Sequence, residues 1–364
     1  MVGLVLVAAV LASCSTTEGE ADRDDARHEP TWTAGPAFPR AAPYAVVTSL
    51  DELLIAQNLS AVARFDPPDM DQQWFAARRD DGAWAALPNP PEPYESSALA
   101  SIAGSVVLAG IVCDDRSECV TGRTEWSRLT DDLTEWEAIG EPAPFENRRE
   151  AVVTAMPGRH EVGVFDTPAG RVSVDAGGRI SSVPSNTGGS MADGSACIVG
   201  TTLVEVLAPV TNLEDQGGSG AFTYGTTEIS TFDLADTDGR WTTAPAPPAG
   251  VPASARAACL DDGVLLLHDG VETVYRPADS TWTTRPDPAG ALLAGRSLQP
   301  GSSDGLTDDG ALYVITGPGF PILRRGSDGR WSDTGLAAAA VTTTGAVAYA
   351  VHLDEADVEP VPDS

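Results

Sequence analysis

The side chains with the most chemistry to offer in this 364-residue chain are five cysteines, four histidines and a recurring set of arginines. Cys14 follows directly on an apolar run. Cys113, Cys119, Cys197 and Cys259 remain, an even number, and none has the Cys-x-x-Cys spacing or clustered histidine that zinc requires. A bridge between Cys113 and Cys119 would close the polar turn Asp114-Asp115-Arg116-Ser117-Glu118. Cys197 and Cys259 are then the second pair, with two buried thiols as the alternative. Arg40, Arg149, Arg256 and Arg296 each stand after a cluster of prolines. Guanidinium forks gathered at one place hold a carboxylate, a sulfate or a protein acid. The plainer reading pairs each with an acid of a neighbouring element, and 53 acidic residues offer many partners. Asp236-Thr237-Asp238-Gly239 and Asp308-Asp309-Gly310 carry oxygen ligands of the kind that hold calcium, but without the spacing of a calcium loop, so turn chemistry accounts for them. His28, His160, His268 and His352 are scattered. These residues assemble no catalytic constellation, and no cofactor is expected beyond structural calcium.

The charge balance excludes several classes. All 22 basic residues are Arg, against 53 acids, for a net charge of −31. The absence of Lys excludes a Schiff-base lysine, a Walker-type phosphate lysine and a Ser–Lys dyad. So acidic a chain repels phosphate backbones, which argues against nucleic acid as a partner.

Residues 1–13 form an apolar stretch, Met-Val-Gly-Leu-Val-Leu-Val-Ala-Ala-Val-Leu-Ala-Ser, of signal-peptide length. It is too short to span a bilayer as a helix of ~20 residues. The tetrad Leu11-Ala12-Ser13-Cys14 resembles the lipobox of bacterial lipoproteins. The resemblance implies cleavage before Cys14 and a diacylglycerol thioether on its sulfur. No Arg precedes Cys14, so the basic stretch of such signals is missing and a start further upstream is expected. Residues 14–30 are then a lipidated cysteine and an acidic, solvated tether. That places the protein on the outer face of a bacterial cytoplasmic membrane.

Something must position the arginines and cysteines, and the chain is periodic. A polar turn, then Trp, then prolines, recurs with anchors at Trp32, Trp84, Trp136, Ile180, Trp241, Trp282 and Trp331. The intervals are 52, 52, 44, 61, 41 and 49 residues. Periods of ~40–50 residues with one aromatic per unit mark propeller blades. Between anchors lie short apolar runs such as Val106-Val107-Leu108-Ala109 and Val264-Leu265-Leu266-Leu267, bounded by Gly, Asp or Pro, which read as strands. Gly217-Gly218-Ser219-Gly220 sits inside the longest unit as an inserted loop. Trp74 and Trp126 fall off the pattern.

The unit resembles the kelch repeat, best in the copy running from Ala257 through Tyr275 and Pro277 to Trp282. The arginine that kelch units carry after the proline cluster appears as Arg40, Arg149, Arg256 and Arg296. The kelch Gly-Gly doublet is reduced to Ala109-Gly110 or Asp269-Gly270. The Asp-Gly-x-Trp turns are similar to the Asp box of sialidases, but the adjacent Asp328-Gly329 breaks that spacing. Copper-radical oxidases also use kelch blades, and no matched Tyr/Cys/His set supports that chemistry.

The expected fold is all-β: a single seven-bladed propeller over residues 31–355, with residues 356–364 as an acidic tail. Trp32 has no inner strands before it, and Trp331 is followed by inner strands without a Trp. Pairing the N-terminal strand with the C-terminal ones closes the ring and removes open sheet edges. In this phase Cys197 and Cys259 lie at equivalent inner-strand positions of neighbouring blades. The expected protein is a monomer, tethered to the membrane through the lipid on Cys14, that binds or scaffolds an envelope protein or glycan. The alternative is an extracellular glycan-active hydrolase or lyase with carboxylates at the channel mouth.

Overall fold

Short Val- and Leu-rich runs cut by Gly, Asp and Pro cannot extend into helices and pair with their neighbours instead. The computed structural model describes residues 45–50, 53–58, 75–78, 84–90, 92, 94–115, 119–146, 151–156, 159–186, 195–207, 210–214, 221–224, 227–236, 239–248, 251–252, 255–268, 271–286, 304–306, 310–315, 320–338, 340–344 and 347–351.

These residues form successive antiparallel sheets in chain order. The first holds β1 (Ala45–Leu50), β2 (Leu53–Asn58), β3 (Phe75–Arg78) and β4 (Trp84–Ala86). The second holds β5 (Ser96–Ile102), β6 (Ser105–Cys113), β7 (Gly122–Leu129) and β8 (Trp136–Ala138), and β9 (Ala143–Phe145) continues the edge along β7. The third takes β10 (Thr154–Ala155), β12 (Val162–Thr167), β13 (Gly170–Asp175) and β14 (Ile180–Ser182), while the intervening β11 (Arg159–His160) pairs parallel to β5. The fourth takes β15 (Ser195–Val199), β16 (Thr202–Leu207), β19 (Glu228–Asp233) and β20 (Thr242–Thr243). Its long insertion is a separate hairpin of β17 (Val210–Glu214) and β18 (Ala221–Tyr224), flanking the glycine-rich segment read as a loop. The fifth holds β21 (Arg256–Leu260), β22 (Gly263–His268), β23 (Val271–Arg276) and β24 (Thr281–Pro286). The sixth holds β25 (Asp304–Leu306), β26 (Leu312–Ile315), β27 (Phe320–Arg325) and β28 (Trp331–Ala338). A two-stranded sheet of β29 (Ala340–Thr344) and β30 (Val347–Val351) comes last.

The first strands of the sheets are neighbours: β5 lies against β1 and β10, β21 against β15 and β25, and β29 against β25 and β1. The fourth strands start at the sequence anchors. Trp84, Trp136, Ile180 and Trp331 open theirs, Trp282 is second in β24, and Trp241 stands just before β20. Burial falls from inside outward. The second strands β6, β16 and β22 are almost wholly buried, whereas β24 is largely exposed. Middle strands are covered on both faces by the adjoining sheets, so their sequences read as unbroken apolar runs rather than alternation.

The core is accordingly a series of layers between consecutive sheets. Ile55 and Leu87 of the first sheet region pack with Leu99, Leu108 and Trp136 of the second. Ile102, Ile111 and Trp126 pack with Phe165 and Val174 of the third. Val164 meets Ile198 and Leu203, Val204 meets Val264 and Leu266, and Leu265 and Leu267 share a layer with Leu312 and Val314. Consecutive four-stranded sheets packed face to face, first strands innermost, define a β-propeller.

Candidate functional site

One face of the propeller carries the starts of the innermost strands and the turns from second to third strands. Arg256 opens the innermost strand β21, its backbone opposite Leu267, as its position after the prolines predicts. Arg40, Arg149 and Arg296 lie outside the described residues, as does Cys14. The second residue of the third strand is charged and clustered in three sheets on this same face: Arg123, Arg171 and Glu272.

Arg123 donates from Nε to Glu125 at 2.7 Å and from Nη2 to Glu92 at 3.1 Å. Beside this pair the ring of Tyr94 lies over Gly110, and burial pushes its hydroxyl up to about 12, with Ser127 acting against that rise. Arg171 spans two sheets. Its Nε donates to Asp166 at 2.6 Å and its Nη1 to Glu205 of β16, which Asn186 also engages at 3.0 Å.

Glu272 is fully buried and joins the fifth and sixth sheets. Arg325 Nη2 donates to its Oε1 at 2.7 Å, Arg285 Nε at 2.7 Å, and Trp331 Nε1 donates to Oε2 at 3.0 Å. Burial alone would raise its pKa, but the hydrogen bonds from Arg325, Trp331 and Arg285 prevail and hold it below the ordinary carboxylate value.

The anchors show one use of the prolines that follow Trp84, Ile180 and Trp241. Trp136 Nε1 donates to the carbonyl of Pro88 at 2.9 Å, Trp241 to Pro184 at 2.7 Å, and Trp282 to Pro245 at 2.9 Å. Each acceptor stands four residues after the anchor of the preceding sheet. Proline has no N–H, so it ends the ladder and leaves its carbonyl free for the next sheet. The junction after Trp136 differs in both partners. Gly140 replaces the proline, Ile180 replaces the Trp, and the Ile180 Cδ1 lies 2.5 Å from where a Gly140 Cβ would be. At Trp331 the acceptor is Glu272 instead of Pro286.

The Asp328-Gly329 turn completes that junction. Arg285 Nη2 donates to the Gly329 carbonyl at 2.9 Å, and its guanidinium fills the space over Gly329, whose φ is +75°. Gly329→Ala combines left-handed strain of ~1–2 kcal/mol with eviction of Arg285. Urea unfolding of Gly329→Ala should therefore show a midpoint well below that of Gly177→Ala, an exposed glycine with ordinary φ; equal midpoints would refute the turn's role.

Both cysteine pairs form disulfides. Cys113 and Cys119 have Cα atoms 5.0 Å apart and close the turn between β6 and β7. Cys197 and Cys259 have Cα atoms 5.5 Å apart and join the innermost strands β15 and β21 of adjacent sheets. They sit one residue out of step relative to the ends of their strands rather than at strictly equivalent positions.

Other candidates resolve into structure. His268 Nε2 pairs with Thr273 Oγ1 at 3.2 Å within one sheet, and His352 lies outside the described residues. Trp126 is buried in β7 with its ring edge-on to Phe165, at a centroid separation of 5.5 Å. Gly239 N donates to the Asp236 carbonyl at 2.9 Å, an ordinary turn, while Asp238, Asp308 and Asp309 lie outside the described residues. Gly301-Ser302-Ser303-Asp304-Gly305 has nucleophile-elbow spacing, but Asp304 opens strand β25, so the strand-turn-helix frame of that motif is lacking. Among the described residues, no three His, Cys, Asp or Glu side chains gather to hold a metal.

Sequence reasoning missed Glu272, Arg325 and Glu205. Their signal was a charge at an inward position of an apolar strand, Val271-Glu272-Thr273-Val274 and Ile322-Leu323-Arg324-Arg325.

No protein-family model matches the chain, and comparison with curated proteins finds no significant match. Solved structures match broadly and loosely. Virginiamycin B lyase from Staphylococcus aureus is 12% identical, with 85% of this chain and 94% of that chain covered and a TM-score of 0.44. The α-L-arabinofuranosidase Arb93A from Fusarium graminearum is 13% identical, with coverages of 86% and 93% and a TM-score of 0.43. A protein of unknown function from Desulfotomaculum acetoxidans is 8% identical, with coverages of 87% and 92% and a TM-score of 0.49. The reactions in those names belong to those proteins. The propeller assignment for this chain rests on its own sheets.

Proposed function

We propose that this chain is an extracytoplasmic, lipid-anchored seven-bladed propeller that binds an acidic envelope protein or glycan on the face where the innermost strands begin. The observation that carries the reading is the Cys197–Cys259 bridge between innermost strands, which suits an oxidising compartment and gives the ring a rigid frame. The apolar run ending at Cys14 and the acidic tether agree with that compartment. Arg256 opens an innermost strand on this face, and Arg40, Arg149 and Arg296 precede the innermost strands β1, β10 and β25 in sequence. Four guanidinium groups there would stand against a strongly negative protein and select an anionic ligand. Binding is favoured over hydrolysis by the state of the two buried carboxylates among the described residues. Glu205 is ion-paired with Arg171 and Glu272 with Arg325, so each carboxylate is buried and already engaged inside the fold.

The test begins with the anchor. Wild type should fractionate with membranes and take up labelled palmitate, and Cys14→Ala should be released unlabelled; equal release of both overturns the anchoring. Immobilised Cys14→Ala protein should then retain an acidic envelope component at low salt and lose it at high salt. Retention unchanged by Arg40→Glu with Arg256→Glu removes the arginines from the account. Glycan cleavage by the purified chain would replace the binding module with the hydrolase or lyase.

A further inference from the structure

A polar side chain buried between two sheets must find its partner inside that layer. Thr227 Oγ1 donates to the Pro252 carbonyl at 2.8 Å, and Glu205 and Glu272 take arginines. Among the described residues, Thr124 Oγ1 and Trp126 Nε1 are buried and meet no hydrogen-bonding partner in the protein.

Both belong to β7, two residues apart, so they stand on one face of the strand. Thr124 is 0% exposed and Trp126 2%, so neither reaches bulk water. The indole lies in the layer between the second and third sheets, among Ile102, Ile111, Phe145, Val153, Phe165 and Val174. None of those side chains carries a polar atom. The neighbouring backbone is already engaged. Thr124 lies in the ladder between Ile111 and Ala143, and the Trp126 carbonyl accepts from Ile139 N at 3.0 Å.

The same layer has the smallest partners at its rim. Three other junctions set an indole against a proline carbonyl, whereas here Ile180 meets Gly140. Ile139 and Ile180 border the layer that holds Trp126. An indole and a pyrrolidine ring are thus replaced by a branched butyl group and a hydrogen, which leaves this layer with less side-chain volume at its outer end.

We infer that a single buried water molecule is bound in this layer, held by Thr124 Oγ1 and Trp126 Nε1. An indole N–H only donates, so the water oxygen accepts from it; the threonine hydroxyl can accept the water's proton or give its own. Buried waters of folded proteins are held by two to four such bonds at groups otherwise left unsatisfied. Other small ligands fit less well. The N–H donor refuses a cation, and the apolar walls refuse an isolated anion. The site lies apart from the proposed partner-binding arginines and does not rest on that function. It also gives Trp126, which breaks the period of the repeat, a role that a phenyl ring could not fill.

A crystal structure of the full chain carrying Cys14→Ser, at a resolution that shows ordered water, should place a water oxygen about 2.7–3.0 Å from both atoms. A layer without that oxygen, in which the indole N–H points onto the Phe165 ring, overturns the site, because an N–H···π contact then accounts for the donor. Melting temperatures give an independent sign. Thr124→Val keeps the branched shape and removes only the hydroxyl. With water bound, Thr124→Val should lower the melting temperature by about 2–4 °C, because the water loses a partner. An unchanged or raised melting temperature overturns the proposal, since removing an unsatisfied buried hydroxyl is neutral or stabilising. Thr124→Val should also cost little once Trp126 is already Phe, because the two groups share one water. Additive losses overturn the shared water.

Discussion

Arg325→Ala should destabilise the protein by about 3–5 kcal/mol, because it strands the Glu272 carboxylate between two sheets with only part of its compensation. Glu272 is fully buried, and Arg325 is 7% exposed, so neither can turn to water. Glu272→Leu should be nearly as harmful, since it leaves the Arg325 guanidinium buried and unpaired. The double variant Glu272→Leu with Arg325→Met should recover most of the loss, because an apolar pair avoids the desolvation cost of both charges. Denaturant unfolding of the two single variants and the double decides this; additive losses would mean that the pair does not act as a unit. The same carboxylate gives stability a pH dependence. Its folded pKa lies below the reference value of 4.5, so the unfolded chain takes up the proton first as pH falls. The stabilisation is complete above about pH 5.5 and fades as the pH drops through the unfolded and then the folded pKa. Glu272→Leu/Arg325→Met should show a flatter profile over that window.

The second large effect belongs to the inner-strand disulfide. Replacing Cys197 and Cys259 together by Ala releases a constraint on a 62-residue separation, worth about 4 kcal/mol on the chain-entropy account. The Cys113–Cys119 pair spans 6 residues and should cost about 2 kcal/mol on the same account. The two double variants should therefore separate clearly in guanidinium unfolding, with the Cys197/Cys259 variant the weaker. Equal midpoints would show that native contacts between the fourth and fifth sheets already hold those strands in the unfolded ensemble. The Cys113–Cys119 pair instead braces one turn of the second sheet, so its loss should be local.

The legible parts of this protein are those that repeat. Trp84, Trp136, Trp241, Trp282 and Trp331, with Ile180 as the degenerate member, were recognisable as anchors because one outermost strand per sheet must cover the same kind of surface. The prolines were visible beside them, but their use was not. That Pro88, Pro184 and Pro245 offer carbonyls to the next Trp depends on how far each sheet leans over its neighbour. The paired change of Gly140 and Ile180 illustrates the difference. In sequence it is a missing Pro and a missing Trp, 40 residues apart; in space it is one contact with both partners replaced. Trp126 falls off the period, yet it fills the layer against Phe165.

Sequence by itself determined the strand order within the described units, the positions of their anchors and the pairing options of the cysteines. All of these follow from local spacing, turn chemistry and periodicity, which a chain carries in one dimension. Only the tertiary structure decided which charges are buried and against what. Glu272, Arg285, Arg325 and Trp331 come from four strands in two sheets, and the energy of a buried charge depends on partners brought close by sheet twist rather than by sequence. The same holds for Arg171 and Glu205, whose attraction exists only because the third and fourth sheets pack face to face and exclude water between them.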